Sequence, residues 1–75
     1  MMSVKVYGKQ GCSFCEKAKT LCELYELEYE YIDCTFDEEA LDFLIESGFR
    51  TVPQVFIDGE YVGGYTDLYE RLTNS

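Results

Sequence analysis

Gly11-Cys12-Ser13-Phe14-Cys15 decides the reading of this chain. It follows the alternating run Val4-Lys5-Val6-Tyr7 and precedes a stretch with helical spacing, so the order is strand, loop, Cys-x-x-Cys, helix. The first turn of a helix has unpaired backbone N–H groups and partial positive charge. A cysteine there becomes a thiolate more readily and is a usable nucleophile near neutral pH. The second cysteine, one turn further in, can close a small ring with the first. Such a pair cycles between dithiol and disulfide. A structural zinc site is the alternative, but it needs four ligands. The chain has no histidine, and its other cysteines, Cys22 and Cys34, stand singly.

Seventy-five residues make one small domain, 1–75, which buries only about 60% of its unfolded surface. Seven Tyr and five Phe help to fill so small a core. Four cysteines could form a disulfide scaffold in an oxidising compartment. The start Met-Met-Ser-Val-Lys-Val-Tyr-Gly has no apolar signal core, so a reducing cytoplasm is expected and the Cys pair reads as catalytic. No apolar run approaches the roughly 18 residues of a membrane span. The net charge of −9 speaks against nucleic acid and anionic membrane as partners. Acidic residues crowd Glu23 to Glu46, whereas Lys9, Lys17, Lys19 and Arg50 lie near the Cys pair or Pro53. Lys17 and Lys19 read as solvated surface. Lys9, three residues before Cys12, is a candidate for a functional role.

Ser3 to Tyr7 reads as a strand. Phe14, Ala18, Leu21, Cys22 and Tyr25 recur at helical spacing from Ser13 to about Leu27, with Ser13 and Glu16 available as a capping box. Tyr29 to Asp33 alternates as a second strand. Thr35 or Asp37 can start the next helix, whose apolar set is Ala40, Leu41, Phe43, Leu44 and Ile45, with Gly48 suited to its end. Gln54 to Ile57 and Glu60 to Val62 are strands joined by the hairpin signal Asp58-Gly59. Thr66 or Asp67 begins a final helix with Leu68 and Leu72 inward. The order β-α-β-α-β-β-α predicts an α/β fold: a mixed four-stranded sheet flanked by helices. Cys22 falls on the first helix's apolar face and reads as core. Cys34, at a strand end, has no evident chemical partner.

Over essentially its whole length the chain resembles a glutaredoxin, within the thioredoxin-like fold. Three motifs carry the resemblance. In Lys9-Gln10-Gly11-Cys12-Ser13-Phe14-Cys15, Cys12 matches the family's nucleophile and Cys15 its resolving cysteine. Lys9 matches a lysine that lowers the thiol pKa and contacts glutathione. Phe14 stands where the family usually has Tyr, and Ser13 replaces the common Pro. In Thr51-Val52-Pro53, the family's proline is cis and faces the cysteines, and Val52 matches the residue whose backbone docks glutathione as a short strand would. Only about 5–6% of X-Pro bonds are cis, so without the resemblance Pro53 reads as a trans proline opening an edge strand. Arg50, just ahead, could meet a glutathione carboxylate. In Gly63-Gly64-Tyr65-Thr66-Asp67, the glycines let the ligand approach, and Thr66 and Asp67 match the residues that take the γ-glutamyl end. Thr66 or Asp67 could equally cap the last helix, and a capping loop also offers N–H donors to a carboxylate.

The resemblance implies a glutathione-dependent thiol-disulfide oxidoreductase. Its implied partners are glutathione and disulfide-containing or glutathionylated proteins, with ribonucleotide reductase among the family's substrates, and it is expected to act as a monomer. No metal is expected in the dithiol form. Two alternatives stay open: a glutathione-ligated [2Fe-2S] module, which Ser13 in place of Pro permits, and a redox carrier recycled by thioredoxin reductase. The chain is short for the family, and the resemblance does not explain its acidity.

Overall fold

The alternation Val4-Lys5-Val6-Tyr7 forms β1 (Ser3–Gly8), with Val4, Val6 and Gly8 buried. The computed structural model describes residues 2–74. After β1 come α1 (Ser13–Leu24), β2 (Glu28–Asp33), α2 (Glu38–Glu46), β3 (Gln54–Ile57), β4 (Glu60–Gly63) and α3 (Tyr65–Thr73). The sheet order is β2-β1-β3-β4. β1 runs parallel to β2 and antiparallel to β3, and β3 pairs antiparallel with β4. This is the thioredoxin-like arrangement that the resemblance implies.

Strand alternation divides the core between the two faces of the sheet. Val4, Val6, Val55 and Ile57 meet Ala18, Leu21 and Cys22 of α1 and Leu68 and Leu72 of α3. Cys22 is core, as its helical position predicts. On the opposite face Cys34, Ala40 and Leu44 form a smaller cluster with Tyr7, Ile32, Phe49 and Val52. Rings extend this second face: Tyr7 stacks on Phe43 at 5.2 Å, and Phe49 stacks on Tyr61 at 4.9 Å.

The hairpin forms as expected. Asp58 and Gly59 both take positive φ, 51° and 82°, the backbone of a tight turn whose twist matches the flanking strands. Asp37 caps α2 by accepting from the Ala40 N–H at 3.1 Å. Gly48, at φ 84°, closes it, and the Phe49 N–H donates to the Leu44 carbonyl as in a standard helix stop.

Three local expectations need correction. α1 ends at Leu24 rather than near Leu27. Glu26 adopts φ 55° and the Leu27 N–H folds back to the Cys22 carbonyl, which reverses the chain into β2 without the usual glycine. α3 begins at Tyr65, ahead of Thr66. Leu41, Phe43 and Ile45 are exposed, so that only Ala40 and Leu44 of the apolar set are buried, while Phe43 still lays its ring on Tyr7.

Leu68 is among the largest wholly buried side chains and fastens α3 to the sheet. Leu68→Ala is expected to cost about 2–5 kcal/mol, a large part of the roughly 5–15 kcal/mol stability of a typical domain. Urea unfolding reads this directly. A loss below about 1 kcal/mol would show that α3 is not anchored through this residue.

Candidate active site

The cysteine pair sits where β1 hands the chain to α1. Cys12, not Ser13, is the N-cap. Its extended backbone leaves the sulfur over the first turn, where Cys15 N–H donates to Cys12 Sγ at 3.1 Å. The Glu16 N–H closes the turn onto the Cys12 carbonyl. The Cys12 sulfur thus occupies the place a serine hydroxyl takes in an ordinary cap, and Ser13 is left exposed. Cys12 and Cys15 form a disulfide, with Cα atoms 5.2 Å apart. Cys15 is fully buried and Cys12 partly exposed, so a partner reaches Cys12. As a thiolate, Cys12 would keep the Cys15 N–H and gain the helix dipole.

The loop before β3 faces this sulfur. The Val52–Pro53 peptide is cis, Pro53 is buried, and the Val52 carbonyl oxygen lies 3.7 Å from Cys12 Sγ. Gln54 holds the loop. Its Nε2 donates to the Thr51 carbonyl at 2.8 Å and to Thr51 Oγ1 at 3.2 Å, while its Oε1 accepts from the Tyr61 hydroxyl at 2.7 Å. A buried amide with both ends satisfied fixes geometry without an unpaired polar group. Its only sequence signal is a polar residue opening an otherwise apolar strand.

Gly63 and Gly64 end β4 and start α3. Gly63 takes φ 132°, and a Cβ there would collide with the Asp67 carboxyl group and its Cβ. The Gly64 N–H donates to Asp67 Oδ2 at 3.0 Å, so Asp67 does cap α3 with one oxygen. Thr66 and Asp67 are both exposed. A Cβ on Gly64 would lie 3.6 Å from the Pro53 carbonyl oxygen, which places this turn beside the Pro53 loop. Phe14 is exposed and packs its ring 5.9 Å from that of Tyr65, with Lys17 Nζ 4.8 Å above it. Lys19 pairs with Glu16 at 3.1 Å and lies over Tyr31.

Lys9, Arg50, Thr51 and Val52 line one groove, of about 670 Å³, together with α2 residues. Among the described residues neither Lys9 nor Arg50 is ion-paired. The Cys34 N–H donates to the Gly8 carbonyl and the Gln10 N–H to Thr35 Oγ1, which ties the loop carrying Lys9 to the end of β2. Burial pushes the Cys22 and Cys34 thiols above their ordinary pKa. Glu23 adds to the first shift, and Asp37 and Asp33 add to the second. Both therefore stay neutral thiols to higher pH than a free cysteine and are poor nucleophiles. Among the described residues no group of three or more His, Cys, Asp or Glu is placed to hold a metal ion, and no helix is long and apolar enough to cross a membrane.

The family model described as Glutaredoxin matches residues 4–62. The chain belongs to the glutaredoxin family. It is 34% identical over 75 residues to Glutaredoxin 1 of Escherichia coli, covering 89% of this chain and 88% of that protein. It is 42% identical over 66 residues to Hybrid peroxiredoxin hyPrx5 of Haemophilus influenzae; the match covers 88% of this chain but spans only 27% of that relative. The crystal structure of a buckwheat glutaredoxin-glutathione complex superposes with a TM-score of 0.81 at 28% identity, covering 95% of this chain and 68% of that one. With the Cys12–Cys15 pair in place, this glutaredoxin is a thiol-disulfide oxidoreductase.

Two outcomes follow from the site's geometry. In the reduced protein, limited iodoacetamide at mildly acidic pH should label Cys12 first, read by peptide mass mapping; faster labelling of Cys15, Cys22 or Cys34 would contradict the burial and capping pattern. Gly63→Ala should displace Asp67 from the Gly64 N–H and lower stability by more than about 1 kcal/mol, because φ and space both oppose a Cβ. Chemical denaturation tests this, and a neutral effect would mean that the turn re-forms freely.

Proposed function

We propose that this glutaredoxin is a single-domain, monomeric dithiol oxidoreductase that takes its electrons from glutathione and acts in the reducing cytoplasm on protein disulfides and protein–glutathione mixed disulfides. The observation that carries the reading is the approach of Cys12 Sγ to the Val52 carbonyl, with cations at one end of the Val52 segment and the Gly64–Asp67 turn beside Pro53. Glutathione carries two carboxylates and one ammonium. Its peptide pairs with the Val52 backbone at Thr51-Val52-Pro53, its glycine carboxylate meets Lys9 with Arg50 nearby, and its γ-glutamyl end meets Thr66, Asp67 and the Gly64 turn. The free oxygen of Asp67 takes the ammonium. Phe14 and Tyr65, whose rings lie 5.9 Å apart, offer glutathione an aromatic surface. The comparisons favour neither the cluster-binding nor the thioredoxin-reductase alternative.

In this reading the Cys12 thiolate attacks a substrate disulfide and forms a mixed disulfide, expelling one thiolate. Cys15 then attacks Cys12 Sγ, expelling the second thiolate and leaving the Cys12–Cys15 bond. One glutathione reopens that bond through a Cys12–glutathione adduct, and a second glutathione releases it as glutathione disulfide. Two electrons and two protons thus pass from two glutathiones to the substrate. Ribonucleotide reductase is one candidate substrate.

A charge-assisted hydrogen bond is worth about 1.5–3 kcal/mol. Asp67→Ala should therefore raise the apparent Michaelis constant for glutathione roughly tenfold or more while Cys12 alkylation stays nearly unchanged. Cys12→Ser should abolish exchange, and Cys15→Ser should retain deglutathionylation while losing most protein-disulfide reduction. A coupled assay with glutathione and glutathione reductase measures all three. Retained activity in Cys12→Ser, or reduction by thioredoxin reductase but not by glutathione, would overturn the reading.

A further inference from the structure

Leu41, Leu44, Ile45 and Gly48 recur at the i, i+3, i+4, i+7 spacing of a single helical stripe, and that stripe lines the groove that holds Lys9 and Arg50. Leu44 is buried at its base, but Leu41 is 44% and Ile45 62% exposed. Phe49, half-buried, also lines the groove. The exposed part of this stripe, Leu41 and Ile45, faces the groove and is available to a ligand side chain.

Glutathione does not use it. Its cysteine–glycine bond is an ordinary peptide link, and glycine has no side chain to reach the stripe. With its γ-glutamyl end at Asp67 and its glycine carboxylate at Lys9, the peptide runs from N- to C-terminus toward the groove; this direction rests on the reading under Proposed function. A polypeptide docked the same way carries the residues after its reactive cysteine past Lys9 and Arg50 and onto Leu41 and Ile45. We propose that this groove is a protein-substrate subsite, which selects disulfide partners whose reactive cysteine is followed by an acidic residue and then by apolar residues. The acidic side chain meets the unpaired cations, and the apolar ones cover the exposed stripe. A second copy of this chain is a poor occupant, since two bodies of charge −9 repel.

The chemistry is the same exchange. The Cys12 thiolate displaces one peptide thiolate from a symmetric peptide disulfide, Cys15 displaces the other, and two glutathiones are oxidised to restore the dithiol.

The test compares symmetric disulfides of three synthetic peptides: acetyl-Gly-Cys-Asp-Leu-Leu-amide, acetyl-Gly-Cys-Gly-Gly-Gly-amide and the reversed acetyl-Leu-Leu-Asp-Cys-Gly-amide. Burying apolar side chains at this scale predicts a kcat/KM for the first that is about tenfold or more above both others. Leu41→Ser/Ile45→Ser changes only exposed side chains and should erase the preference while leaving turnover of a small glutathione mixed disulfide unchanged. In Cys15→Ser, trapping the first peptide on Cys12 should shift the amide resonances of Leu41 and Ile45, which trapped glutathione should leave in place. Equal kcat/KM for the three peptides, a preference that survives the double variant, or unshifted α2 amides would each overturn the inference. Failure of the small glutathione assay itself would instead strike the proposed dependence on glutathione.

Discussion

One hydrogen bond organises this molecule: the Cys15 N–H to the Cys12 sulfur. It makes the reactive atom the cap of its own helix. The charge that makes sulfur a nucleophile is then the charge that the first turn of α1 is short of. Sheet and helix must agree for this to hold. β1 delivers Cys12 at its C-terminal end, and the buried face shared by Val4, Val6, Ala18 and Cys22 fixes where α1 starts.

The second face of the sheet serves the loop before β3. Gln54 opens β3 and ties Thr51 to Tyr61, so the segment beside Cys12 is braced from β4. Asp67 is braced in the same way by the Gly64 N–H. In both places one side chain closes a turn and sets the edge of the site, so local stability and site geometry rest on the same bonds.

Much of this was legible in the residues. The alternation of β1, the β3–β4 hairpin at Asp58-Gly59 and the three motifs gave the fold and the positions of Cys12, Val52 and Asp67. What escaped has physical reasons. Cysteine is not among the usual capping residues, so Ser13 looked the better cap. Glu26 turns left-handed without being glycine, which hid the end of α1. Leu41 and Ile45 have the spacing of core residues, but α2 is short and meets the sheet through Ala40, Leu44 and the Phe43 ring. Gln54 carries a role that arises only when Thr51 and Tyr61 come together in space.

Cys15 has no exposed surface, and this gives the exchange a clock. A buried thiol cannot recruit a partner from solution. It meets a substrate only as a neighbour of a sulfur already joined to Cys12. In the proposed cycle, capture depends on the concentration of the partner, whereas release of a protein partner by Cys15 is intramolecular and does not. In that cycle the lifetime of a protein–Cys12 complex is therefore set inside the first turn of one helix, whereas the glutathione adduct waits for a second glutathione.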